Sequence, residues 1–338
     1  MNQDNRISYW DNLRFFLILC VVLGHFLSQF VSESAGYRML FIFIYSFHMP
    51  LFIFVSGEFH KDTHVSVRVV QFLSYYIILK GIIGISRALI YGNAISFSLL
   101  SEDGLAWYMF ALAVYIGVTY LLRKINVIYL LIISVILALL AGYDSSIGDY
   151  LVLSRVIVYY PFYLLGVAVP REKIEQAAAK TNRKISGFIG ALLFLGICIF
   201  FNDQLYSLRG LFTGRNSYSN FAFIQNDGCF YRLLCYGITI FAAACIMLVI
   251  PCRRLPQITL WGQRTIQVYT WHYVFIYLFN QFHVTRSLCS SGWGGRILWL
   301  VIGIAVTILL SFSWCRYPSY WVFRQGIIYR SRDGKDER

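Results

Sequence analysis

Long apolar segments recur along the whole chain, separated by short polar stretches. The first runs from Leu13 to Val31, and nine more follow at about 39–57, 69–90, 106–122, 126–142, 151–169, 185–201, 233–250, 264–282 and 296–315. A helix of about 20 apolar residues crosses the hydrocarbon core of a bilayer. The pattern therefore predicts an all-α, polytopic transmembrane helical bundle of about ten spans. The period-two alternation of a membrane β-barrel is not evident.

Composition and charge support a chain that contacts a lipid bilayer. The sequence is 58% hydrophobic and 13% charged, whereas soluble domains average about 25% charged residues. Most Lys and Arg residues fall in segments on the side of the N-terminus, such as 61–68, 123–124, 171–184 and 253–264. Cytoplasmic loops carry this kind of excess, and an even number of spans returns the chain to its starting side. We therefore predict that both termini are cytoplasmic.

Residues 1–330 are predicted to form a single integral membrane domain, followed by a charged, disordered tail at 331–338. The N-terminal region has no short apolar stretch with a small-residue cleavage site, so 13–31 is predicted to be a retained span. The net charge of +13 lies mainly in loops, and no basic-aromatic module is present, so nucleic acid is not a predicted partner. The sequence leaves the oligomeric state open.

The eight cysteines show no C-x-x-C spacing, so no metal site is predicted. Cysteines inside the apolar segments are most simply small packing residues. Cys229 and Cys289 fall in predicted outer loops, and a disulfide between them is a hypothesis for an oxidising compartment.

The first apolar segment carries ionisable groups, which are costly to bury in a membrane and by default indicate function. Asp11 and Arg14 lie at its start, and His25 follows eleven residues after Arg14, which places the imidazole roughly 16 Å deeper along a helix. The structural alternatives are that His25 bonds a neighbouring helix and that Asp11 and Arg14 form a local ion pair at a helix start.

Other polar or helix-disturbing positions fall at similar depth in three further segments. These are His48 with Pro50, Tyr160 with Pro161, and His272. The segments run in alternating directions, yet their polar positions all come near the predicted midplane. We interpret this coincidence as a shared internal cavity, where loosened helix hydrogen bonding is tolerated.

Six short stretches through these segments carry a family resemblance. They are Trp10-Asp11-Asn-Leu-Arg14, Gly24-His25-Phe26, Tyr45-Ser-Phe-His48-Met-Pro50, Ala106-Trp107-Tyr108, Tyr160-Pro161-Phe162 and Tyr269-Thr-Trp-His272. In this order they resemble the acyltransferase-3 family of integral membrane acyltransferases, and especially the branch similar to fucose 4-O-acetylase. Arg14 stands where that branch often has lysine, and Trp271 stands where leucine is common.

The resemblance implies an O-acetyltransferase that moves an acyl group from acetyl-CoA to a carbohydrate hydroxyl, with no permanently bound cofactor. The acceptor would be a cell-surface polysaccharide or its precursor. His25 falls on the family's catalytic histidine and Arg14 on its basic motif position, and Asp11 joins them as a catalytic candidate. Neutral histidine suits the general base at physiological pH, although a transient acyl-histidine is an alternative.

The remaining site predictions concern substrate contacts. Four polar or aromatic residues of these segments are predicted to contact the acceptor: His48, Trp107, Tyr160 and His272. Basic groups at the cytoplasmic helix ends are predicted to bind the CoA phosphates: Arg14, Lys61, Arg68 and Arg264. As a span-end aromatic, Trp107 can also be an interface anchor.

A multi-span transporter or flippase of a polar or glycan substrate is the main alternative, since it would also need midplane polar groups. Another acyl donor, such as succinyl-CoA, and a non-sugar acceptor also remain open. The predicted location is the bacterial inner membrane.

Overall fold

The structure is a computed structural model that describes residues 3–95, 98–101, 104–215, 217–221 and 224–323. Within those residues the regular secondary structure is helical, with short 3₁₀ turns and no strand. The α-helices are α1 (Gln3–Ser28), α2 (Ala35–Tyr45), α3 (His48–Glu58), α4 (Val65–Tyr91), α5 (Trp107–Leu121), α6 (Val127–Leu140), α7 (Leu153–Ala168), α8 (Arg171–Ala179), α9 (Thr181–Phe200), α10 (Asn202–Ser207), α11 (Arg209–Phe212), α12 (Gly228–Val249), α13 (Pro256–Gly262), α14 (Thr265–Gln281), α15 (Val284–Ser290) and α16 (Gly292–Leu310).

Seven segments within the described ranges are long and apolar enough to cross a membrane. They are Ser8–Ser28, Ala35–Glu58, Val65–Tyr91, Tyr150–Ala168, Thr181–Phe200, Gly228–Val249 and Gly292–Leu310. The predicted spans at α5, α6 and α14 are also helical but contain only 15, 14 and 17 residues. The all-helical, multi-span prediction is thus confirmed, while the count of ten and the side of the termini stay predictions. The predicted tail at 331–338 lies outside the described residues.

Long-range hydrogen bonds connect loops and helix ends at each of the two faces of the bundle. At the face where α1 begins, called the proximal face here, the Asn12 amide donates to the carbonyls of Pro251 and Arg253 at 2.9 and 3.0 Å. At the opposite, distal face, the Tyr37 hydroxyl donates to the Arg296 carbonyl at 2.7 Å. The charge distribution predicts that the proximal face is cytoplasmic.

The second long segment is broken between α2 and α3, directly before His48. Pro50 has no N–H, so the carbonyl of Ser46 lacks its helical donor four residues later. The hydroxyl of Thr239 in α12 supplies a replacement donor to the Ser46 carbonyl at 2.7 Å. A neighbouring helix thus satisfies the backbone at the break, as a membrane interior requires.

Close backbone contacts fix the helices around the first and second segments. A Cβ added to Gly57 of α3 would collide with the backbone of Tyr163 in α7. A Cβ on Gly262 at the end of α13 would likewise collide with the carbonyl of Asp11 in α1. Small residues allow such close approach between membrane helices, and here they bring α7 and α13 against the helices that carry the predicted site.

The disulfide hypothesis is wrong, because Cys229 and Cys289 are both free thiols. The Cys229 sulfur donates to the Leu139 carbonyl at 3.4 Å. The Cys289 sulfur lies 3.9 Å from the Tyr37 hydroxyl. Each thiol is therefore held by a different set of neighbours.

Candidate active site

A cavity of about 360 Å³ opens toward the distal face and brings together three of the predicted site residues. His25 of α1, His48 of α3 and Trp107 of α5 all line it. We call it the distal cavity. Residues more than 80 positions apart in the chain therefore line one cavity. Of the four positions that the depth argument named, His25 and His48 line it, whereas Tyr160 and His272 do not.

The His25 ring is presented to the distal cavity between two aromatic neighbours. It stacks on the His272 ring with 5.4 Å between centroids and meets the Tyr273 ring edge-on at 4.8 Å. Among the residues the structure describes, neither ring nitrogen of His25 has a hydrogen-bond partner. The imidazole is held by packing, and its nitrogens are available to a substrate.

His48 and His272 differ from His25 because the backbone engages their rings. Nδ1 of His48 lies 2.9 Å from the Ile44 carbonyl, and Nδ1 of His272 lies 3.0 Å from the Val268 carbonyl. A carbonyl oxygen only accepts, so Nδ1 is the donor in both rings and Nε2 of the neutral ring is an acceptor. Nε2 of His272 is buried without a partner. His272 therefore lies behind His25 as a fixed, neutral acceptor.

The structure places Tyr159, and not Tyr160, on the distal cavity. Tyr159 lines the cavity, and its hydroxyl donates to the Phe212 carbonyl at 2.7 Å. The Tyr160 hydroxyl instead lies 3.0 Å from that of Thr119, and its ring lines an apolar groove between α5, α6 and α7. An acceptor in the distal cavity would thus meet the preceding tyrosine.

Arg155 is a cavity residue that sequence reasoning missed. In the sequence, its position near a helix end is explained well enough by snorkelling toward the membrane surface. In the structure it lines the cavity with its guanidinium 4.5 Å from the centre of the Trp107 ring. Arg155 lies four residues before Tyr159, and residues four apart share a helix face, but this spacing is informative only once Tyr159 is known to face the cavity.

The long distal loop after α9 forms one wall of the cavity. Arg209, Thr213 and Arg215 of this loop line it. Arg155 donates to the Thr213 carbonyl at 3.1 Å, and Arg215 forms a two-point ion pair with Asp149 at 2.9 and 3.1 Å. The loop is therefore tied to α7 and to the 3₁₀ turn before it, directly over the site.

A second cavity of about 280 Å³ opens toward the proximal face. Its lining is mostly apolar but includes Arg14 and Arg68. The carboxylate of Asp11 accepts from Arg14 at 3.3 Å and from the Gln263 amide at 2.9 Å. Asp11 is buried, so it acts on this proximal cavity by orienting Arg14, whose guanidinium also lies 4.2 Å from the centre of the Phe59 ring.

The two cavities adjoin near the middle of the bundle. Val21, Met49 and Tyr269 line both of them. The Tyr269 hydroxyl donates to the Leu105 carbonyl, which fixes the ring at the junction. A group bound from the proximal side and a group bound from the distal side can therefore approach each other beside His25.

His60 contacts Tyr163, a residue that lines the proximal cavity. The His60 ring lies 2.7 Å from the Tyr163 hydroxyl through Nδ1 and 3.1 Å from the Asp62 carboxylate through Nε2. Burial lowers the pKa of His60, although hydrogen bonding to Asp62 acts in the opposite direction. The neutral ring can thus accept from Tyr163 while donating to Asp62.

The structure does not bring Lys61 and Arg264 into the proximal cavity. Lys61 is exposed, and its carbonyl accepts from the Arg68 guanidinium at 2.8 Å. Arg264 lines a third cavity of about 310 Å³, which we call the side cavity. Gln263 and Ile266 line both the side cavity and the proximal cavity. Their predicted roles toward the donor stay predictions.

Comparison with known families gives one match. The model of the acyltransferase-3 family, described as an acyltransferase domain, matches residues 7–316. The match covers the helices that line both cavities. Searches of curated proteins and of solved structures each gave no match.

Proposed function

The chain belongs to the acyltransferase-3 family, and from this premise we propose that it is a membrane O-acetyltransferase. It moves an acetyl group from acetyl-CoA to a hydroxyl of a carbohydrate, such as a cell-surface polysaccharide or its precursor. We also propose that the chain belongs to the branch similar to fucose 4-O-acetylase. Its proposed location is the bacterial inner membrane, with both termini cytoplasmic. The family match favours this function over a transporter or flippase.

One observation carries the proposal: His25 lines a distal cavity that adjoins a proximal cavity containing Arg14. The arrangement supports entry of the donor from the proximal face, where the arginines attract its phosphates. It also supports entry of the acceptor from the distal face. The acetyl group then crosses the bundle through the junction while the CoA nucleotide stays outside.

The proposed reaction is a direct transfer with His25 as general base. The acceptor oxygen attacks the thioester carbonyl carbon while its proton passes to the neutral His25 ring. The resulting tetrahedral intermediate collapses, the carbon–sulfur bond breaks, and the imidazolium returns the proton to the departing sulfur. The accessible nitrogens of His25 suit this cycle, whereas Nδ1 of His48 and of His272 is held by the backbone.

The distal cavity provides the elements of a sugar site. The centres of the Trp107 and Tyr159 rings lie 5.7 Å apart, with 33° between the ring planes, and the two rings offer an apolar surface to the C–H face of a pyranose. His48, Arg209 and Arg215 offer polar contacts from the opposite elements. We assign the acceptor to this cavity and the pantetheine arm of the donor to the proximal cavity.

The test uses the full chain in lipid nanodiscs with labelled acetyl-CoA and glycan acceptors isolated from the source organism. We expect wild-type transfer, and a loss of at least about a hundredfold for His25→Ala with an unchanged melting temperature. His283→Ala, at an exposed distal position, is the matched control. Substantial transfer by His25→Ala would overturn the base assignment.

Two further results would correct the proposal. A wild-type chain that transfers no acyl group from any acyl-CoA would overturn the function. Label that stays on the protein without acceptor, and disappears in His25→Ala, would replace the general base with an acyl-histidine. Comparing glycan O-acetylation in cells with and without the gene would identify the acceptor.

A further inference from the structure

The side cavity lies at the proximal face between the start of α14 and the segment that follows α16. Arg264, Gln267, Arg316, Ser319 and Tyr320 line it. It adjoins the proximal cavity, because Gln263 and Ile266 line both. A ligand whose narrow end occupies the proximal cavity can thus extend its other end into the side cavity.

Two guanidinium groups give the side cavity its charge. Arg264 donates to the Ser311 carbonyl at 3.2 Å, and Arg316 donates to the Tyr317 hydroxyl at 3.3 Å. Neither has a carboxylate partner among the residues that the structure describes, and none of the described lining residues is acidic. Each guanidinium carries five N–H donors, so both retain donors for a ligand. The cavity therefore favours an anion that accepts several hydrogen bonds.

The segment that carries Arg316 is anchored to α14 on both sides of the arginine. The Gln267 amide donates to the carbonyls of Leu310 and Phe312 at 2.6 and 2.7 Å. The Trp271 indole donates to the Tyr317 carbonyl at 2.9 Å. Arg316 and Arg264 consequently lie on backbone segments whose relative position is fixed, which lowers the cost of bringing both donors to one anion.

The aromatic rings beside Arg316 narrow the class of ligand. The guanidinium carbon lies 4.6 Å from the centre of the Tyr320 ring and 5.1 Å from that of Tyr317. Stacking of this kind fixes the plane of the guanidinium, which suits fork-like contact with a phosphate. Ser319 also lines the cavity, but its hydroxyl donates to the Arg316 carbonyl at 2.7 Å, so the arginines are the donors for a ligand. Two arginines and the tyrosine rings match a nucleotide phosphate better than a simple carboxylate.

Acyl-CoA carries phosphate at two separate places: a diphosphate beside the pantetheine arm and a 3′-phosphate on the ribose. The proximal cavity already supplies Arg14 and Arg68 for the first. We propose that the side cavity binds the 3′-phosphoadenosine end of the donor, with Arg316 and Arg264 contacting the 3′-phosphate. This inference rests on the proposed use of acyl-CoA and deepens it by dividing the donor between two cavities.

The test measures binding of CoA and of 3′-dephospho-CoA to the full chain in phosphatidylcholine nanodiscs by calorimetry. We expect Arg316→Gln to weaken CoA binding about tenfold and to leave 3′-dephospho-CoA binding within about twofold. Arg264→Gln should behave in the same way. Arg123→Gln is the matched control. The Arg123 guanidinium also lies over a tyrosine ring, 4.0 Å from the centre of Tyr120, and it is at the proximal end of a helix but outside these cavities. It should change neither affinity.

Several results would overturn the assignment. Equal weakening of both ligands, or of neither, would remove the 3′-phosphate from the side cavity. If phosphatidylglycerol in the nanodiscs, and not CoA, were the ligand whose binding depends on Arg316, the cavity would be a lipid headgroup site. A wild-type chain that binds no CoA, in either lipid, would overturn the proposed function itself. Normal CoA binding with no effect of Arg316→Gln would overturn only this inference.

Discussion

The His25 and His272 rings stack with 5.4 Å between their centroids and 30° between their planes. His25 faces the distal cavity, whereas His272 is fully buried and is tied through Nδ1 to the Val268 carbonyl. The ring that stacks on the proposed base therefore contains a buried nitrogen, Nε2 of His272, without a hydrogen-bond partner. A buried acceptor without a partner costs stability, and its place beside the proposed base leads us to predict that His272 contributes to the reaction.

His272→Phe separates packing from hydrogen bonding at this position. The phenyl ring keeps the stack on His25 but removes both imidazole nitrogens. We expect acetyl transfer to fall about tenfold or more, while the melting temperature stays equal or rises because the unpartnered acceptor is gone. Steady-state transfer and thermal unfolding of the purified chain measure the two effects. Full activity of His272→Phe would show that the ring serves only as packing.

Depth along the helices was predictable from the sequence, and the direction in which each side chain faces was less so. Counting residues from the helix starts brought His25 and His48 to one level, because the helical rise is constant. The same counting gave no reason to choose Tyr159 over Tyr160. That choice depends on how α7 is rotated against α3, where Gly57 allows the backbones to approach, and such long-range packing has no local signal.

The position of the basic residues around the bundle could likewise not be predicted from the sequence. Arg14, Lys61 and Arg264 all belong to the proximal end of the bundle, as the charge pattern predicted. Only Arg14 of these three lines the proximal cavity, while Arg264 lines the side cavity and Lys61 is exposed. Hydropathy and charge place a residue along the membrane normal, but they carry no information about its position around the bundle.

A pair of adjacent substitutions tests which tyrosine serves the acceptor. Tyr159→Phe removes the hydroxyl that holds the Phe212 carbonyl of the distal loop, so we expect the KM for the acceptor to rise about threefold to tenfold. Tyr160→Phe removes a hydroxyl that contacts Thr119 away from the cavity, so we expect a KM within about twofold of wild type. Acceptor titrations at saturating acetyl-CoA measure both. The reverse order of effects would return Tyr160 to the site.

Arg14 is predicted to act on the donor. Arg14→Gln should raise the KM for acetyl-CoA about tenfold by removing a charge-assisted contact to phosphate, and should leave the KM for the acceptor nearly unchanged. Arg14→Lys keeps the charge but loses the stacking on Phe59, so it should show a smaller increase. Arg123→Gln again serves as the control. An unchanged dependence on acetyl-CoA in Arg14→Gln would remove Arg14 from donor binding.

The junction between the two cavities gives the last prediction. Val21 lies four residues before His25 on α1 and lines both cavities, and only 2% of the residue's surface is exposed. If the acetyl group reaches the acceptor through this junction, a larger side chain there should obstruct it. Val21→Phe should reduce transfer by about a hundredfold, a loss that displacement of the reacting groups by about 1 Å can cause. The binding of CoA should stay within about twofold, because its nucleotide lies at the proximal face.

Leu19→Phe is the matched control on the same helix, since Leu19 is half-buried and lines neither cavity. It should leave both transfer and binding near wild type. Overpacking in Val21→Phe costs about 1–3 kcal/mol of folding stability, so thermal unfolding of both variants must show a folded chain. Val21→Ile adds less volume, and we expect it to cause a smaller loss of transfer. If Val21→Phe binds CoA and transfers acetyl groups at the wild-type rate, the donor and the acceptor do not meet across this junction, and both must enter from one face.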